Sequence, residues 1–411
     1  MRRVYFDHLA ATPLLPEAFA AMRPFFREHF GNPSSPHRHG LRARDALNEA
    51  RARVAALIRA ASPDEIFFTS GGTEATNLAL KGAAYALRGR GNHLVVSAIE
   101  HPAVLRSIEF LETRGFTCTR VGVDGEGRVD PEEYRTALTD QTILLGLHLA
   151  NHDLGTIQPA AEVGRIAAER GLACFMDATT CAGWLPIDVR ALGANLLSLA
   201  PHRFYGPKGV GVLYRNRRAR LVSLLHGGDQ EGGWRAGTEN VPAIVGAGVA
   251  AEAAARELDA RMAHTRRLQR RLWDGLRERV PCLRFNGPPP GPERLATNLN
   301  FCVEFVEGEG LLLLCDMNGI ALASGSGCVS KSLPPAPALE AIGVPPSLAR
   351  GNLILTLGRD NSDADVDYFL DVFADKVVPR LRGMSPAWEQ YQRGERDSLT
   401  APRQTPDSST S

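Results

Sequence analysis

The sequence contains very little lysine. Its 47 basic residues are 43 arginines and only four lysines, namely Lys81, Lys208, Lys331 and Lys376. Genomic base composition accounts for part of this bias. The 46 acidic residues almost balance the basic ones, which argues against a strongly basic nucleic-acid-binding protein and against an acidic disordered chain.

Long hydrophobic runs are also absent. The longest leucine run is Leu311–Leu314, whereas a membrane-spanning helix needs about 20 apolar residues. Near the N-terminus, Asp7 comes before any hydrophobic stretch has formed, so no secretory signal is expected. The sequence therefore predicts a protein with no membrane partner.

The cysteines lack the spacing of a disulfide scaffold or a zinc ribbon. Seven are present, an odd number, and no two are separated by only two residues. This usage favours a reducing compartment, and we predict a cytoplasmic protein.

Short apolar strands alternate with helical segments over much of the chain. At 411 residues, the length suggests two or three domains at about 150 residues each. Continuous apolar strands between helices predict an α/β fold with a mostly parallel sheet covered on both faces. The strands are predicted at 65–69, 93–97, 142–147, 173–177, 196–199 and 211–214.

The pattern changes near residue 255, where a second, smaller α/β domain is predicted to begin. A long amphipathic helix opens it, with apolar residues at helical spacing. Strands at 298–305 and 352–357 and a helix at 310–317 follow. The last eleven residues are rich in Ser, Thr and Pro, and predict a disordered end.

Several polar residues follow the predicted strands, where ligands bind in open α/β sheets. The segment Ser70-Gly71-Gly72-Thr73-Glu74 opens a helix and is either an anion site or an ordinary turn. Asp177 ends an apolar strand, and either pairs with a cationic heterocycle or caps the next helix. His101 and His202 also follow strands, and their equivalent positions favour a shared cleft over two structural histidines.

Cys328 differs from the other cysteines in its surroundings. It lies in the small-residue loop Ala323-Ser324-Gly325-Ser326-Gly327-Cys328-Val329-Ser330. Cys174, Cys302 and Cys315 lie in apolar segments and are predicted to be buried and inert. Cys328 has no such neighbours, which favours a reactive thiol that carries sulfur.

Together these motifs resemble those of the cysteine desulfurases, in the class V aminotransferase group of pyridoxal-phosphate (PLP) enzymes. The resemblance runs from Val4-Tyr5-Phe6-Asp7 through Gly31-Asn32-Pro33-Ser34-Ser35 to Ser385-Pro386-Ala387-Trp388-Glu389. It implies the fold-type I PLP-transferase architecture, with a seven-stranded type of sheet in the large domain. The implied division is 13–255 for the large domain, 1–12 and 256–395 for the small domain with the Cys328 loop, and 396–411 for a disordered tail.

The resemblance also implies roles for individual residues. Gly72, Thr73 and His202 would hold the PLP phosphate, with Thr238 reaching in from a second subunit of a homodimer. Around the ring, His101 would stack on the pyridine, Asp177 would pair with its nitrogen, and Asn151 would bind its oxygen.

The resemblance further implies the residues that handle the substrate. Arg359 would clamp the carboxylate of L-cysteine, to which Asn32 would also contribute. Cys328 would attack the substrate sulfur and hold it as a persulfide for an acceptor or iron–sulfur scaffold protein.

The chain departs from the family at the Schiff-base lysine, whose position is occupied by Arg203 in Ala200-Pro201-His202-Arg203. A Schiff base needs a neutral amine, and arginine effectively never loses its proton. Thr180 replaces a family glutamine near the ring oxygen, and Ala200 replaces a phosphate-binding serine. Lys208 lies nearby, but the family carries that lysine as well.

Four interpretations remain open at this stage. The chain is a sulfur-transfer protein with changed PLP chemistry, or a slow desulfurase that binds PLP without a covalent link and uses His101 as proton shuttle. Alternatively it is an inactive homologue that holds no cofactor and acts as a scaffold, with Cys328 as a cluster ligand, alone or in a heterodimer with a lysine-bearing homologue. Another class V reaction, such as transamination, would leave Cys328 unexplained.

Overall fold

The computed structural model describes residues 2–325 and 337–400. Cys328 therefore lies outside the described residues. Within them the strands are β1 (Val4–Tyr5), β2 (Ile66–Thr69), β3 (His93–Ser97), β4 (Thr117–Val121), β5 (Thr142–His148), β6 (Ala173–Asp177), β7 (Leu196–Leu199), β8 (Gly211–Arg215), β9 (Leu283–Asn286), β10 (Asn298–Val303), β11 (Ile320–Ala321) and β12 (Asn352–Thr356).

The α-helices of the same residues range from 4 to 39 residues in length. They are α1 (Pro16–Met22), α2 (Pro24–Arg27), α3 (Arg38–Leu57), α4 (Gly72–Leu87), α5 (Pro102–Glu112), α6 (Pro131–Thr136), α7 (Ala160–Glu169), α8 (Val241–Arg279), α9 (Gly308–Met317), α10 (Pro337–Ala341), α11 (Pro346–Ala349), α12 (Asp363–Val372), α13 (Val378–Arg382) and α14 (Pro386–Gln392).

A seven-stranded sheet forms the centre of the fold. Its strand order is β2-β8-β7-β6-β5-β3-β4, and only β8 runs antiparallel to its neighbours. Four of the strands, β2, β3, β5 and β7, are buried along their whole length. In β6 and β8 all residues but one are buried, and all six strands follow the predicted apolar runs. The prediction of a mostly parallel sheet covered by helices is confirmed.

Strand β4 was not among the predicted strands, because its sequence does not read as a buried strand. It lies at the edge of the sheet, and three of its five residues are exposed. An edge strand faces solvent on part of its surface and so lacks the continuous apolar run of a central strand.

A second, smaller sheet stands apart from the first in sequence. Strands β12, β10 and β9 form it with antiparallel pairing, and β1 pairs in parallel with β11. One hydrophobic cluster contains Phe301, Leu355 and Phe369 from this region. The N-terminal residues thus join elements of the C-terminal region.

Helix α8 connects the two apolar cores. Ile244 and Ala250 on its first half belong to the core beneath the large sheet, and Leu268 and Leu276 on its second half belong to the core of the smaller sheet. The domain boundary predicted at 255–256 falls inside this helix, and the division stays a prediction.

The end of the described chain makes side-chain contacts. Ser398 donates a hydrogen bond to Glu304 over 2.7 Å, and the backbone N–H of Leu399 donates to the same carboxylate over 3.0 Å. Both residues belong to the segment predicted to be disordered, and residues 401–411 lie outside the described part. No helix of the described residues is long and apolar enough to cross a membrane.

A buried ion pair fastens α3 to the loop before α8. Glu231, whose side chain is 1% exposed, pairs with Arg51 at 2.8 Å and accepts the backbone N–H of Phe68 at 2.8 Å. We expect Glu231→Ala to lower the free energy of unfolding by about 3 kcal/mol, because it leaves a buried guanidinium unpaired. Denaturant unfolding measures this change.

The exposed pair of Arg106 and Glu109 provides the control for that prediction. Glu109→Ala is expected to cost less than about 1 kcal/mol. Equal losses in the two variants would contradict the assignment of Glu231 as a structural carboxylate.

Candidate functional site

The polar residues predicted from the strand ends come together at one edge of the large sheet. Asp177 ends β6, His101 follows β3, and the turn Pro201–Arg203 follows β7. The charges of Asp177 and Arg203 both act on His101. Asp177 and Arg203 therefore lie near His101 at this edge of the sheet, while a cleft shared with His202 stays a prediction.

Asp177 is buried and held by two hydrogen bonds through one oxygen. Its Oδ1 accepts the backbone N–H of Thr179 at 2.8 Å and the hydroxyl of Ser198 at 3.3 Å. Thr76 of α4 donates in turn to Ser198 at 3.2 Å. Among the described residues, no hydrogen bond occupies Oδ2 of Asp177, so this oxygen is free for a cationic ligand.

The start of α4 lies close to the strand end of β6. A Cβ atom added to Gly72 would lie 2.8 Å from Cγ2 of Thr179 and 3.3 Å from Cβ of Ala200. Gly72 therefore allows the helix N-terminus to approach the cleft, where free N–H groups favour an anion. Thr73 on the next position is exposed.

Arg203 extends its side chain into the cleft with few partners. Its Nη1 donates to Oγ1 of Thr180 at 3.3 Å, while its buried Nε has no partner within residues 2–325 and 337–400. Burial lowers the pKa of Arg203, and the charge of Asp177 acts in the opposite direction. A guanidinium with an unpaired buried N–H is suited to bind an acceptor oxygen.

His101 is the N-cap residue of α5. Its Nδ1 accepts the backbone N–H of Ala103 at 3.1 Å, and its ring meets that of His152 edge to face with centroids 5.1 Å apart. Burial, followed by the charges of His152 and Arg203, lowers the pKa of His101 to about 4. The imidazole is therefore neutral at neutral pH.

Asn151 is fully buried and bonded to the backbone around it. Its Oδ1 accepts from the N–H groups of Asp153 and Leu154, and its Nδ2 donates to the carbonyl of Ile99 at 3.0 Å. One amide hydrogen remains for the ring oxygen assigned to it by resemblance.

The other predicted cofactor and substrate residues are His202, Thr238 and Asn32. Burial, with Arg203 and Lys208 adding to it, lowers the pKa of His202 to about 4. Thr238 is exposed, and its contact across a dimer stays a prediction. Asn32 is exposed as well, and its Oδ1 accepts the backbone N–H of Ser34 at 2.9 Å.

Arg359 is oriented by three neighbouring side chains, one of which is Asp360, whose Oδ1 accepts from Nε of Arg359 at 3.4 Å. Its Nη1 donates to Glu257 of α8 at 3.1 Å, its backbone N–H donates to the hydroxyl of Tyr205 at 2.6 Å, and its guanidinium lies 5.5 Å from the centroid of the Tyr205 ring. Glu257 also accepts two hydrogen bonds from the buried Arg261. Three contacts of this kind fix the plane of the guanidinium, as recognition of a carboxylate requires.

Four of the described cysteines have thiols whose pKa is raised by burial, which makes them unreactive. Burial raises the pKa of Cys118, Cys174 and Cys315 to about 12, and raises that of Cys181 further. These thiols stay protonated at neutral pH, and a thiol reacts as its thiolate. Cys174, Cys302 and Cys315 are buried as predicted.

The cleft fits PLP held without a covalent bond. The free Oδ2 of Asp177 suits a pyridinium nitrogen, Gly72 brings the α4 N-terminus to the cleft, and the unpaired Nε of Arg203 suits an anionic oxygen. The covalent link does not fit, because Arg203 cannot supply a neutral amine. Among the described residues no group of His, Cys, Asp or Glu could hold a metal ion.

Several cleft residues were not found from the sequence alone. Ser198 lies inside an apolar strand, and Tyr205 and Glu257 belong to no recognisable motif. His152 was not considered because the motif drew attention to Asn151 beside it. The one available signal was that His152 also follows a buried strand, as His101 does.

A cavity of about 350 Å³ opens between α4 and α5 beside the cleft. Thr73, His101 and Lys81 are among the residues that line it. The Nζ atom of Lys81, on α4, lies 4.3 Å from the centroid of the Phe110 ring. Asp177 belongs to a different element, β6.

The sequence matches known proteins over most of its length. Residues 4–369 match the family described as Aminotransferase class-V. A cysteine desulfurase IscS of Clostridium botulinum is 43% identical over 396 residues, which are 96% of this chain and 99% of the relative. A cysteine desulfurase IscS of Methanosarcina thermophila is 46% identical over 385 residues, 94% of each chain.

Solved structures agree with these matches. A NifS-like protein has a TM-score of 0.85 and 34% identity, covering 91% of this chain and 99% of its own. The structure of SspA in complex with cysteine has a TM-score of 0.76 and 32% identity, covering 86% and 99%.

Proposed function

The chain belongs to the class-V aminotransferase family as a homologue of the IscS-type cysteine desulfurases, and from this premise we propose that it is a sulfur-transfer protein. It takes sulfur from L-cysteine onto Cys328 and passes it to an acceptor or iron–sulfur scaffold protein. Its PLP chemistry is slowed because Arg203 stands at the position of the Schiff-base lysine. The observation that carries this proposal is the cleft of Asp177, Gly72 and His101 with a guanidinium in place of an amine.

PLP, the cofactor of this family, supplies an electron sink when it is bound. In this chain Asp177 would hold its ring nitrogen, and Gly72, Thr73 and His202 would hold its phosphate. Arg203 offers N–H groups and a positive charge, but no nucleophilic nitrogen. We propose that the cofactor is held by these contacts alone, without a covalent link.

The substrate residues are proposed from the geometry of Arg359. Glu257 accepts from Nη1 of Arg359 and Asp360 accepts from its Nε. Within the described residues this leaves Nη2 for the carboxylate of L-cysteine. The Cys328 thiol gives up its proton and forms the S–S bond of the persulfide while the C–S bond of L-cysteine breaks. The electron pair of that bond stays on the carbon, which takes up a proton and leaves as alanine. A homodimer completed by Thr238, in the cytoplasm, is part of the same proposal.

A second candidate function follows from Arg203 itself. Because a lysine is missing, the chain also suits the role of an inactive scaffold, with Cys328 as a ligand offered to an iron–sulfur cluster. In that role it acts alone or paired with a lysine-bearing homologue.

Alanine formation separates the two candidates. Purified protein is incubated without oxygen with PLP, L-cysteine and a reductant, and alanine is quantified by mass spectrometry. Sulfur transfer predicts alanine above that of a sample without PLP. The scaffold predicts no alanine and co-purification with a partner protein whether or not PLP is present.

A further inference from the structure

Two imidazole rings share the cleft, and their hydrogen bonds differ. The ring centroids of His101 and His152 are 5.1 Å apart, with an interplanar angle of 66°. The inference from these two rings rests on the proposed sulfur-transfer function. It concerns the acid–base step of that function, in which Arg203 cannot accept a proton.

His101 has no free lone pair in this arrangement. Its Nδ1 accepts the N–H of Ala103 at 3.1 Å, so the neutral ring carries its hydrogen on Nε2. To accept a proton, His101 would have to give up the capping bond at the start of α5. It is therefore placed as an N–H donor.

His152 has the opposite character. Among the residues described by the structure, no hydrogen bond occupies either of its ring nitrogens, and its side chain is 21% exposed. Its Nε2 lies 3.7 Å from Oδ2 of Asp153. One ring nitrogen of the neutral imidazole therefore keeps an available lone pair.

The loop that carries His152 is held firmly. Oδ1 of Asn151 accepts the N–H groups of Asp153 and Leu154. The carbonyl of Asp153 accepts from Asn298 at 3.1 Å and from Asn300 at 3.0 Å. This anchoring fixes the position of His152 opposite His101.

The charges around the pair favour a neutral His152 that can accept a proton. Burial lowers the pKa of His152; His148 and Arg203 act in the same direction, and Asp153 and Asp177 oppose them. The Asp153 carboxylate would stabilise the imidazolium once it forms. Glu100 lies behind this group and accepts the backbone N–H of His148 at 2.8 Å.

We propose that His152 is the proton acceptor of the cleft, with His101 as a fixed N–H donor and Asp153 as the positioning carboxylate. One proton moves from Cα of the amino-acid substrate onto the free ring nitrogen of His152 and is later returned to the substrate, and no oxidation or reduction is involved. The role is one that the side chain of Arg203 cannot take.

The protonation states can be measured in the apo protein by ¹⁵N NMR of labelled histidine. We expect His101 to stay neutral, with its hydrogen on Nε2, across neutral and mildly acidic pH. His152 is expected to titrate below the ordinary pKa of histidine, and Asp153→Asn is expected to lower its pKa further. The proposal is overturned if His152 does not titrate and both of its ring nitrogens are hydrogen-bonded. It is also overturned if Asp153→Asn leaves the pKa of His152 unchanged.

A second readout uses hydrogen exchange at Cα of L-alanine in D₂O with PLP-loaded protein. His152→Gln is expected to lower the exchange rate by roughly 10²–10⁴-fold and to raise the pKa of His101. His93→Gln is the matched control, because His93 lies at the opposite end of β3 and bonds only threonine hydroxyls through its ring. Equal exchange rates in the two variants contradict the proposal.

The NMR titration and the exchange assay distinguish a failure of this inference from a failure of the proposed function. If the wild-type protein neither exchanges alanine nor forms it, the sulfur-transfer proposal fails, and the NMR titration alone decides the state of His152.

Discussion

Arg203→Lys is expected to raise the rate of alanine formation from L-cysteine by roughly 10²–10⁴-fold, the contribution of a well-placed acid–base group. Lysine can lose its proton when buried, whereas arginine cannot. The site of Arg203 is suited to this change, because burial already disfavours a positive charge there. The variant is also expected to retain the mass of the cofactor after borohydride reduction and denaturation, and the wild-type protein is expected to lose it.

The control for this gain is the same substitution on the surface. Arg165→Lys on α7 keeps an exposed pair with Glu169 and should leave the rate unchanged. If Arg203→Lys gains nothing when PLP is added in excess, the neighbouring Thr180, Ala200 and Pro201 have closed the site to the amine. That result would contradict a defect confined to residue 203.

Cys328→Ala is expected to abolish persulfide formation and to reduce alanine to the level of a protein-free sample. The reason is chemical, since no other group of the proposed mechanism attacks the substrate sulfur. Persulfide is measured by mass spectrometry of the peptide that contains residue 328. PLP binding and the unfolding transition are measured in parallel, and both should match those of the wild-type protein.

Cys118→Ala is the matched control for that variant. Cys118 is partly exposed, but burial raises the pKa of its thiol to about 12, so it should carry no sulfur. Undiminished alanine formation in Cys328→Ala would assign the sulfur chemistry to another residue.

The fold was predictable from sequence because most central strands are apolar along their whole length. β3 and β6 begin and end where their apolar runs do. Edge strand β4 was missed because its residues face solvent. The continuity of α8 through the predicted boundary at 255–256 was missed too, since helical spacing alone does not show which core each half covers.

The site was predictable where a residue ends a strand. Asp177, His101 and His202 were singled out by this rule. The structure places Asp177 and Arg203 near His101, and His202 next to Arg203 in the turn after β7. The partners that tune them come from other parts of the chain, as Ser198 does for Asp177 and Glu257 does for Arg359. Such contacts depend on tertiary packing, which the order of residues does not display.

The unusual position at 203 was visible in the sequence only through its resemblance to a family. What the structure adds is the environment of the side chain: a single hydrogen bond to Thr180, an unpaired Nε, and the nearby charge of Asp177. These contacts leave N–H groups of the guanidinium available to an acceptor oxygen.

The most direct test of the central claim follows the sulfur atom itself. Wild-type protein is incubated without oxygen with PLP and L-cysteine carrying isotopically labelled sulfur, and the peptide containing Cys328 is analysed by mass spectrometry. The account predicts one labelled sulfur on Cys328, with alanine formed in equal amount before the acceptor is added. Bound PLP with no labelled sulfur on Cys328 would contradict it.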